Sequence, residues 1–343
     1  MSILKLDLCC LHLIGEKSDM KKIKIGIMGY SNIAKKSIIP AAINHPDFEL
    51  CFIGSRSLEK QIEIHEKYNI ASGTYEDLLK TDIDAVYVST PVALHYKYGL
   101  QVIDAGKHLL LEKTFTNNYE TTLDLLEKGE SKKVVVMEAL MYQYHPLLSI
   151  IKNLLKEGSI GEIKQIEAFF GFPHLDNKDF RYNKVLGGGA ILDALVYPLS
   201  LVTKLLGNAN ELMETDLKVH SSIQFNNELD IDENGTLLLE NQFTRAVISY
   251  GFGLAYRNEY RLWGTEGILT VKRAFSRPEN FTNQILLEKN TTQTLIDVPK
   301  ANHFTFMLYE FSNKIHAKTY KKDSELLFRM KLIDKIYKEG YKL

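Results

Sequence analysis

The hydrophobic and polar positions of this chain change rhythm near residue 145. Before that point short apolar runs alternate with stretches of helical period, the pattern of βαβ units around a parallel sheet. Lys24–Met28, Phe48–Gly54, Ala85–Ser89, His108–Leu111 and Val134–Glu138 read as strands. Ile33–Asn44, Leu58–Tyr68, a segment running from Pro91 to Ala105, and Tyr119–Ser131 read as the helices between them. Polar residues gather where the strands stop: Gly29, Ser55, Thr90, Lys113 and Glu138. Ligands of open parallel sheets bind beyond the carboxyl ends of the strands, so one ligand-binding edge is predicted.

Past residue 145 the texture is different. Pro146–Glu157 reads as a linking helix with Gly158 as its cap. Ile163–Phe172 alternates like a strand with one buried face, and Leu217–Gln224, Thr236–Glu240, Ala246–Gly251, Tyr260–Trp263 and Ile285–Leu287 follow as further strands. Strands joined by short turns predict a largely antiparallel sheet. Phe304–Tyr341 reads as helical, with lysine-rich faces. At 343 residues the chain exceeds what one core usually serves. Two domains are expected, 21–144 and 145–343. Lys5, Asp7 and His12 interrupt the apolar start. Residues 1–20 therefore read as a loosely packed extension, or as the product of a start codon upstream of Met20, rather than a signal peptide or a membrane span.

Charge narrows the partner. A net charge of -1 with 25% charged residues gives no basic field for nucleic acid, and no long uncharged run suggests a membrane span. A small-molecule substrate is expected. Cys9, Cys10 and Cys51 offer neither a disulfide framework nor metal spacing, which fits a cytoplasmic location. No pair of histidines has metal-ligand spacing, and no metal is expected.

The chemistry sits in four motifs. Gly26-Ile-Met-Gly29-Tyr-Ser31-Asn32-Ile33-Ala34 lies between a strand and a helix, where a dinucleotide fingerprint belongs; an ordinary βα turn is the plain alternative. Ser31 stands where a second glycine usually lets the backbone approach pyrophosphate, and its hydroxyl could donate to phosphate instead. The second strand ends Gly54-Ser55-Arg56-Ser57, without the carboxylate that binds an NAD ribose. Ser55 and Arg56 suit a 2′-phosphate, so NADP(H) is favoured over NAD(H), against the reading of Arg56 as simply solvated. Glu112-Lys113 ends a strongly apolar strand; a lysine there is, taken alone, most simply solvated. Gly187-Gly188-Gly189 is followed by Asp193 and Tyr197, spaced i and i+4 on one predicted helix face. The glycines are expected to bring backbone close to a ligand. An aromatic on a helix is more often packing than chemistry, but the glycine run beside Tyr197 tilts the balance. His95 and His145 read as capping or packing residues, and His303 as a helix cap. The loop from Phe172 to Lys184 offers Arg181 and Lys184 to an anionic or polyhydroxylated ligand.

In order along the chain, several motifs resemble the glucose-fructose oxidoreductase/inositol dehydrogenase (Gfo/Idh/MocA) family. They are Gly29-x-Ser31-x-x-Ala34, Ser89-Thr90-Pro91 with Leu94-His95, Glu112-Lys113, and Glu138-Ala139-x-Met141-Tyr142. Ile160-Gly161-Glu162, the three glycines with Asp193 and Tyr197, and Gly264-Thr265-Glu266-Gly267 complete the set. The resemblance implies an α/β protein: an N-terminal Rossmann domain, then an α+β domain with an open, mostly antiparallel sheet that binds substrate and often forms a homo-oligomer. It implies hydride transfer to or from a sugar-like or cyclic carbonyl/alcohol substrate, a nucleotide-sugar ketoreductase among the options. A dihydrodiol or aldose dehydrogenase and a non-catalytic NAD(P)-sensing regulator are the alternatives.

Motifs and resemblance together nominate Gly29, Ser31, Asn32, Ile33, Ser55, Arg56, Thr90, Pro91, His95, Glu112 and Lys113 for the cofactor. Lys113, Asp193 and Tyr197 are nominated for catalysis, and these three with Arg181 for substrate. A free tyrosine has a pKa of about 10, and Lys113 is expected to lower that of Tyr197. Two departures from the family pattern stand out. Thr114 replaces a proline after Glu112-Lys113, and Leu195 replaces a glycine between Asp193 and Tyr197.

Overall fold

The computed structural model describes residues 21–176, 178–206 and 217–342. The expected extension at 1–20 lies outside them. Six strands form the first sheet: β1 (Ile23–Met28), β2 (Phe48–Gly54), β3 (Ala71–Gly73), β4 (Ala85–Val88), β5 (His108–Glu112) and β6 (Val136–Ala139). Every pairing is parallel, in the order β3-β2-β1-β4-β5-β6, the doubly wound dinucleotide-binding arrangement. β1, β4 and β5 are buried almost throughout, as strands covered by helices on both faces must be. The covering helices are α1 (Ile39–Ile43), α2 (Leu58–Tyr68), α3 (Tyr75–Lys80), α4 (His95–Asp104) and α5 (Tyr119–Lys132).

The helix predicted over Ile33–Asn44 opens as a π-helical turn, Ala34–Ile38, before α1. Pro40 accounts for the wider turn, because it lacks an N–H and its ring crowds the preceding carbonyls. β3 and α3 were missed. β3 is a three-residue edge strand with no room for alternation.

Helix α6 (Pro146–Lys156) leads into β7 (Ile163–Phe172), the middle strand of an eight-stranded sheet. α7 (Ala190–Asp193) and α8 (Val196–Leu206) follow. The other strands are β8 (Lys218–Asn226), β9 (Ile231–Glu240), β10 (Arg245–Phe252), β11 (Arg257–Gly264), β12 (Ile268–Lys272), β13 (Asn283–Lys289) and β14 (Thr292–Val298). β7 pairs in parallel with β10, and every other pairing in this sheet is antiparallel. α7 and α8 pack on its inner face, against β7, β9 and β10.

The single helical stretch predicted to the C-terminus is two helices, α9 (His303–His316) and α10 (Ser324–Tyr341). Lys318 takes a left-handed φ of 52° at the break, and Asp323 caps the restart by accepting the Leu326 N–H. α10 packs on α5 as well as on α7 and α8, so the last helix spans both sheets' layers.

Candidate active site

β5 delivers Glu112 and Lys113 to the carboxyl edge of the first sheet, where α7 arrives from the second. The Lys113 ammonium donates to Asp193 Oδ1 at 2.6 Å and to the Asp193 carbonyl at 2.9 Å. Arg181 Nε donates to Asp193 Oδ2 at 2.8 Å, and its Nη1 to Asp179 Oδ1 at 3.0 Å. The result is a chain of alternating charge, Asp179–Arg181–Asp193–Lys113. Burial alone would raise the Asp193 carboxyl, but the two cations hold it well below the usual carboxylate range. Glu112 is buried beside them, its carboxylate accepting a hydrogen bond from Tyr87 and the Lys113 N–H. Desolvation pushes its pKa up to about 7, against the pull of Tyr87 and Lys113.

Tyr197 stands against the same group, with Lys113 Nζ 5.0 Å from its ring centre and Phe170 tilted against it at 4.7 Å. Among the described residues its hydroxyl has the Met141 sulfur as its sole hydrogen-bond partner, at 4.0 Å. The expected lowering of its pKa is not what the structure gives. Burial, then the negative charges of Asp193 and Glu112, raise the phenol well above its ordinary value. The charge of Lys113 is spent on Asp193.

These side chains line a cavity of about 590 Å³, with Asn32, Ile33, Thr90 and Pro91 at one end and Phe170, Ser276 and Phe304 at the other. A second cavity, of about 390 Å³, shares Tyr30, Ser31, Lys60 and Ser89–Pro91 with it and extends to Ser55, Arg56 and Ser57. Among the described residues no carboxylate lines this second space, and Arg56 and Lys60 both do.

The turn after β1 suits a dinucleotide. Gly29 has φ +107°, and a Cβ there would press on Ser89 at 3.1 Å. The helical segment behind it begins at the groove, where leading N–H groups lack intrahelical partners. Ser31 does not offer its hydroxyl proton as expected. It donates to Ser89 Oγ at 3.0 Å and accepts the Ala34 N–H at 3.2 Å, which leaves main-chain N–H groups to meet phosphate.

Residues 23–140 match the profile described as "Oxidoreductase family, NAD-binding Rossmann fold", and 149–270 that of the "GFO/IDH/MocA C-terminal domain". The chain belongs to the Gfo/Idh/MocA family. It is an NAD(P)-dependent oxidoreductase acting on CH–OH or keto groups. A "dTDP-3,4-didehydro-2,6-dideoxy-alpha-D-glucose 3-reductase" of Streptomyces violaceoruber is 33% identical over 80% of this chain and 80% of its own. One of the same name from Saccharopolyspora spinosa is 30% identical, over 87% and 89%. The crystal structure of a 3-ketoreductase from Actinomadura kijaniata in complex with NADP and TDP-benzene superimposes with a TM-score of 0.87 at 28% identity, covering 92% of this chain and 97% of that one.

The Lys113–Thr114 peptide bond, where a proline was expected from the resemblance, is cis. Leu195 is fully buried away from the cavity, so its bulk does not narrow the pocket. It sits where the predicted single helix breaks: the segment Lys184–Asp193, which ends in α7, bends by 47° into α8, and Asp193 and Tyr197 are on different helices.

Three more expectations are corrected. Gly187–Gly189 are not among the residues lining either cavity; added Cβ atoms would strike Val92, the Arg181 carbonyl and Asp232, all within 2.5 Å. These glycines serve a tight internal turn. His95 is off the cavity wall, its ring nitrogens bonded to the Thr90 and Thr114 carbonyls at 2.8 and 2.9 Å. It ties together the two loops that do reach the cavity. Lys184 pairs with Asp230 rather than meeting the cavity.

Of the other two histidines, His145 caps α6 by accepting the Leu147 N–H at 3.0 Å. α9 is capped by Asn302, not by His303, which packs edge-on against His145. Sequence reasoning missed Lys60, Asp179, Phe170 and Met141 as lining residues. Phe170 carried a signal as an inward position in the alternation of β7, and Met141 as part of the motif Glu138-Ala139-x-Met141-Tyr142; Lys60 and Asp179 carried none. Among the described residues no His/Cys/Asp/Glu group has metal-binding geometry, and no single helix is long and apolar enough to cross a membrane.

Proposed function

We propose that this chain reduces the keto group of a nucleotide-linked sugar, with NADPH preferred as the reductant. The observation that carries the reading is the Tyr197 phenol. It lines the cavity, stays protonated through neutral pH, and has no oxygen or nitrogen partner among the described residues. A neutral phenol suits reduction, in which a carbonyl oxygen gaining negative charge needs a hydrogen-bond donor and then a proton. Lys113 is the second donor to that oxygen, held in place by Asp193. Arg181 and Asp179 brace Asp193 and present polar edges to sugar hydroxyls. When bound, the cofactor supplies the hydride. The turn Gly29–Ile33, Thr90, Pro91 and Glu112 would hold it, with Ser55, Arg56 and Lys60 at the end suited to a 2′-phosphate.

The sugar-nucleotide assignment follows the named activity of the relatives and the mixed aromatic and polar wall at Phe170, Ser276 and Phe304. The outer face of the second sheet is assigned to contact with another copy of the chain. Turnover of NADPH by the purified protein, with a dTDP-linked 3-ketosugar against free ketoses, aldoses and cyclic diols, tests the substrate class. The reading predicts that the nucleotide-linked ketone is consumed fastest. Efficient oxidation of a free aldose or diol with no activity on the nucleotide-linked ketone would overturn it.

A further inference from the structure

Asp193 owes its position to a helix of only four residues, and that helix is held from outside the site. Asp232, fully buried at the start of β9, accepts the Ile191 N–H on Oδ2 at 2.5 Å. The Tyr341 hydroxyl, in the last turn of α10, donates to Asp232 Oδ1 at 3.0 Å and accepts the Asp232 N–H at 2.8 Å. One phenol thus locks both the backbone and the carboxylate of the residue that grips α7. There is no slack in the joint, since a Cβ on Gly189 would lie 2.2 Å from Asp232 Oδ1. Tyr341 is itself pinned between Tyr337, stacked at 4.3 Å, and Phe225, edge-on at 4.8 Å.

The same helix reaches the other half of the ion pair. Arg329 bonds Glu138 in a buried pair, and Glu138 Oε1 accepts the Phe115 N–H at 3.1 Å. Phe115 lies two residues after Lys113 on the same loop. Thr114 between them donates to the Leu192 carbonyl of α7. Arg329 and Tyr341 are twelve positions apart, about 18 Å along a helix. α10 therefore touches the supports of Lys113 at one end and those of Asp193 at the other.

We infer that α10 is a brace that sets the Lys113–Asp193 geometry, with Asp232 and Tyr341 as positioning residues acting through Asp193. This rests on the reading of Asp193 as the residue that orients Lys113. Neither Asp232 nor Tyr341 lines the cavity, so their removal should act on the rate constant of reduction and leave cofactor affinity unchanged.

The test is a double-mutant cycle between Tyr341→Phe and Asp193→Asn, with kcat, KM and NADPH dissociation constants measured on a dTDP-linked 3-ketosugar. Tyr341→Phe should lower kcat roughly fivefold to a hundredfold, the scale of the two hydrogen bonds it removes from Asp232, with NADPH binding unchanged. In the Asp193→Asn background the same substitution should cost almost nothing. Asp232→Asn, which retains an acceptor for the Ile191 N–H, should recover most of the kcat that Asp232→Ala loses. If Asp193→Asn lowers kcat but Tyr341→Phe does not, or if Tyr341→Phe is equally costly in both backgrounds, the brace is refuted and the site reading stands. Wild-type kcat in Asp193→Asn itself overturns both.

Discussion

Lys113 lies over the face of the Tyr197 ring, 5.0 Å from its centre, while its hydrogen bonds go to Asp193. The ammonium is therefore placed beside the phenol without being bonded to its oxygen. In the proposed reading that separates two tasks: Asp193 orients the cation, and the tyrosine hydroxyl is left for substrate. It also explains why the phenol is not acidified. The cation nearest to it is already neutralised, and burial with two nearby carboxylates keeps the proton on oxygen.

Cofactor choice should depend on Arg56 and Lys60, the two cations lining the end of the groove where no carboxylate stands. Arg56→Ala should weaken NADPH binding by roughly tenfold, a charge-assisted contact being worth more than a neutral one, and leave NADH binding unchanged. Fluorescence titration with both reduced cofactors measures it. An unaltered preference in Arg56→Ala and Lys60→Ala alike would remove the argument.

Glu112 gives the fold a signature in pH. Its pKa rises from an ordinary 4.5 to about 7, chiefly through burial, so the folded state holds an extra proton between these values. The stability this group contributes is complete below its unfolded pKa and is lost as pH rises through about 7, on the order of 3 kcal/mol at most. Asp232, raised to about 6, acts in the same direction over an overlapping window. Glu112→Gln removes only the first share. Melting temperatures between pH 5 and 8 should therefore decline less steeply in Glu112→Gln than in the parent chain. Parallel curves would mean that Glu112 is ionised in the folded protein throughout.

Much of the first sheet was legible because buried parallel strands read as plain apolar runs, and β5 stops at the polar pair Glu112-Lys113 that forms one wall of the site. The convergence of Lys113, Asp193, Arg181 and Tyr197 was legible too, but not its means. Local spacing placed Asp193 and Tyr197 on one helix, whereas a break at Ala194 and Leu195 turns the chain and separate helices present them. The glycines were assigned to a ligand because close backbone approach is visible in sequence but its partner is not. For Gly189 that partner is Asp232, more than forty residues on in β9, and for Gly187 it is Val92, far back in the first domain. Lys60 reaches the groove from the solvent side of α2, a position that no helical pattern distinguishes from an ordinary exposed lysine.

The second sheet presents an outer face with Phe169, Val247, Trp263 and Leu295 among charged neighbours, Trp263 being 52% and Leu295 61% exposed. A sheet face of this kind pairs well with a second copy. Light scattering at micromolar concentration should report an oligomer, and Trp263→Glu should shift it toward monomer with the melting temperature of the isolated subunit otherwise retained. A monomeric parent chain would contradict this assignment.

The central claim is that Tyr197 and Lys113 together meet the oxygen of the ketone. It is tested most directly by the single-turnover rate of NADPH oxidation on a dTDP-linked 3-ketosugar, compared in the parent chain, Tyr197→Phe, Lys113→Met and the double variant. General acid assistance contributes roughly 10²–10⁴-fold, so Tyr197→Phe should slow the step by a factor in that range, with NADPH affinity nearly intact. Lys113→Met should be at least as damaging, and the double variant should lose far less than the product of the two. A Tyr197→Phe protein that turns over at the parent rate, with hydride transfer limiting, would contradict the account.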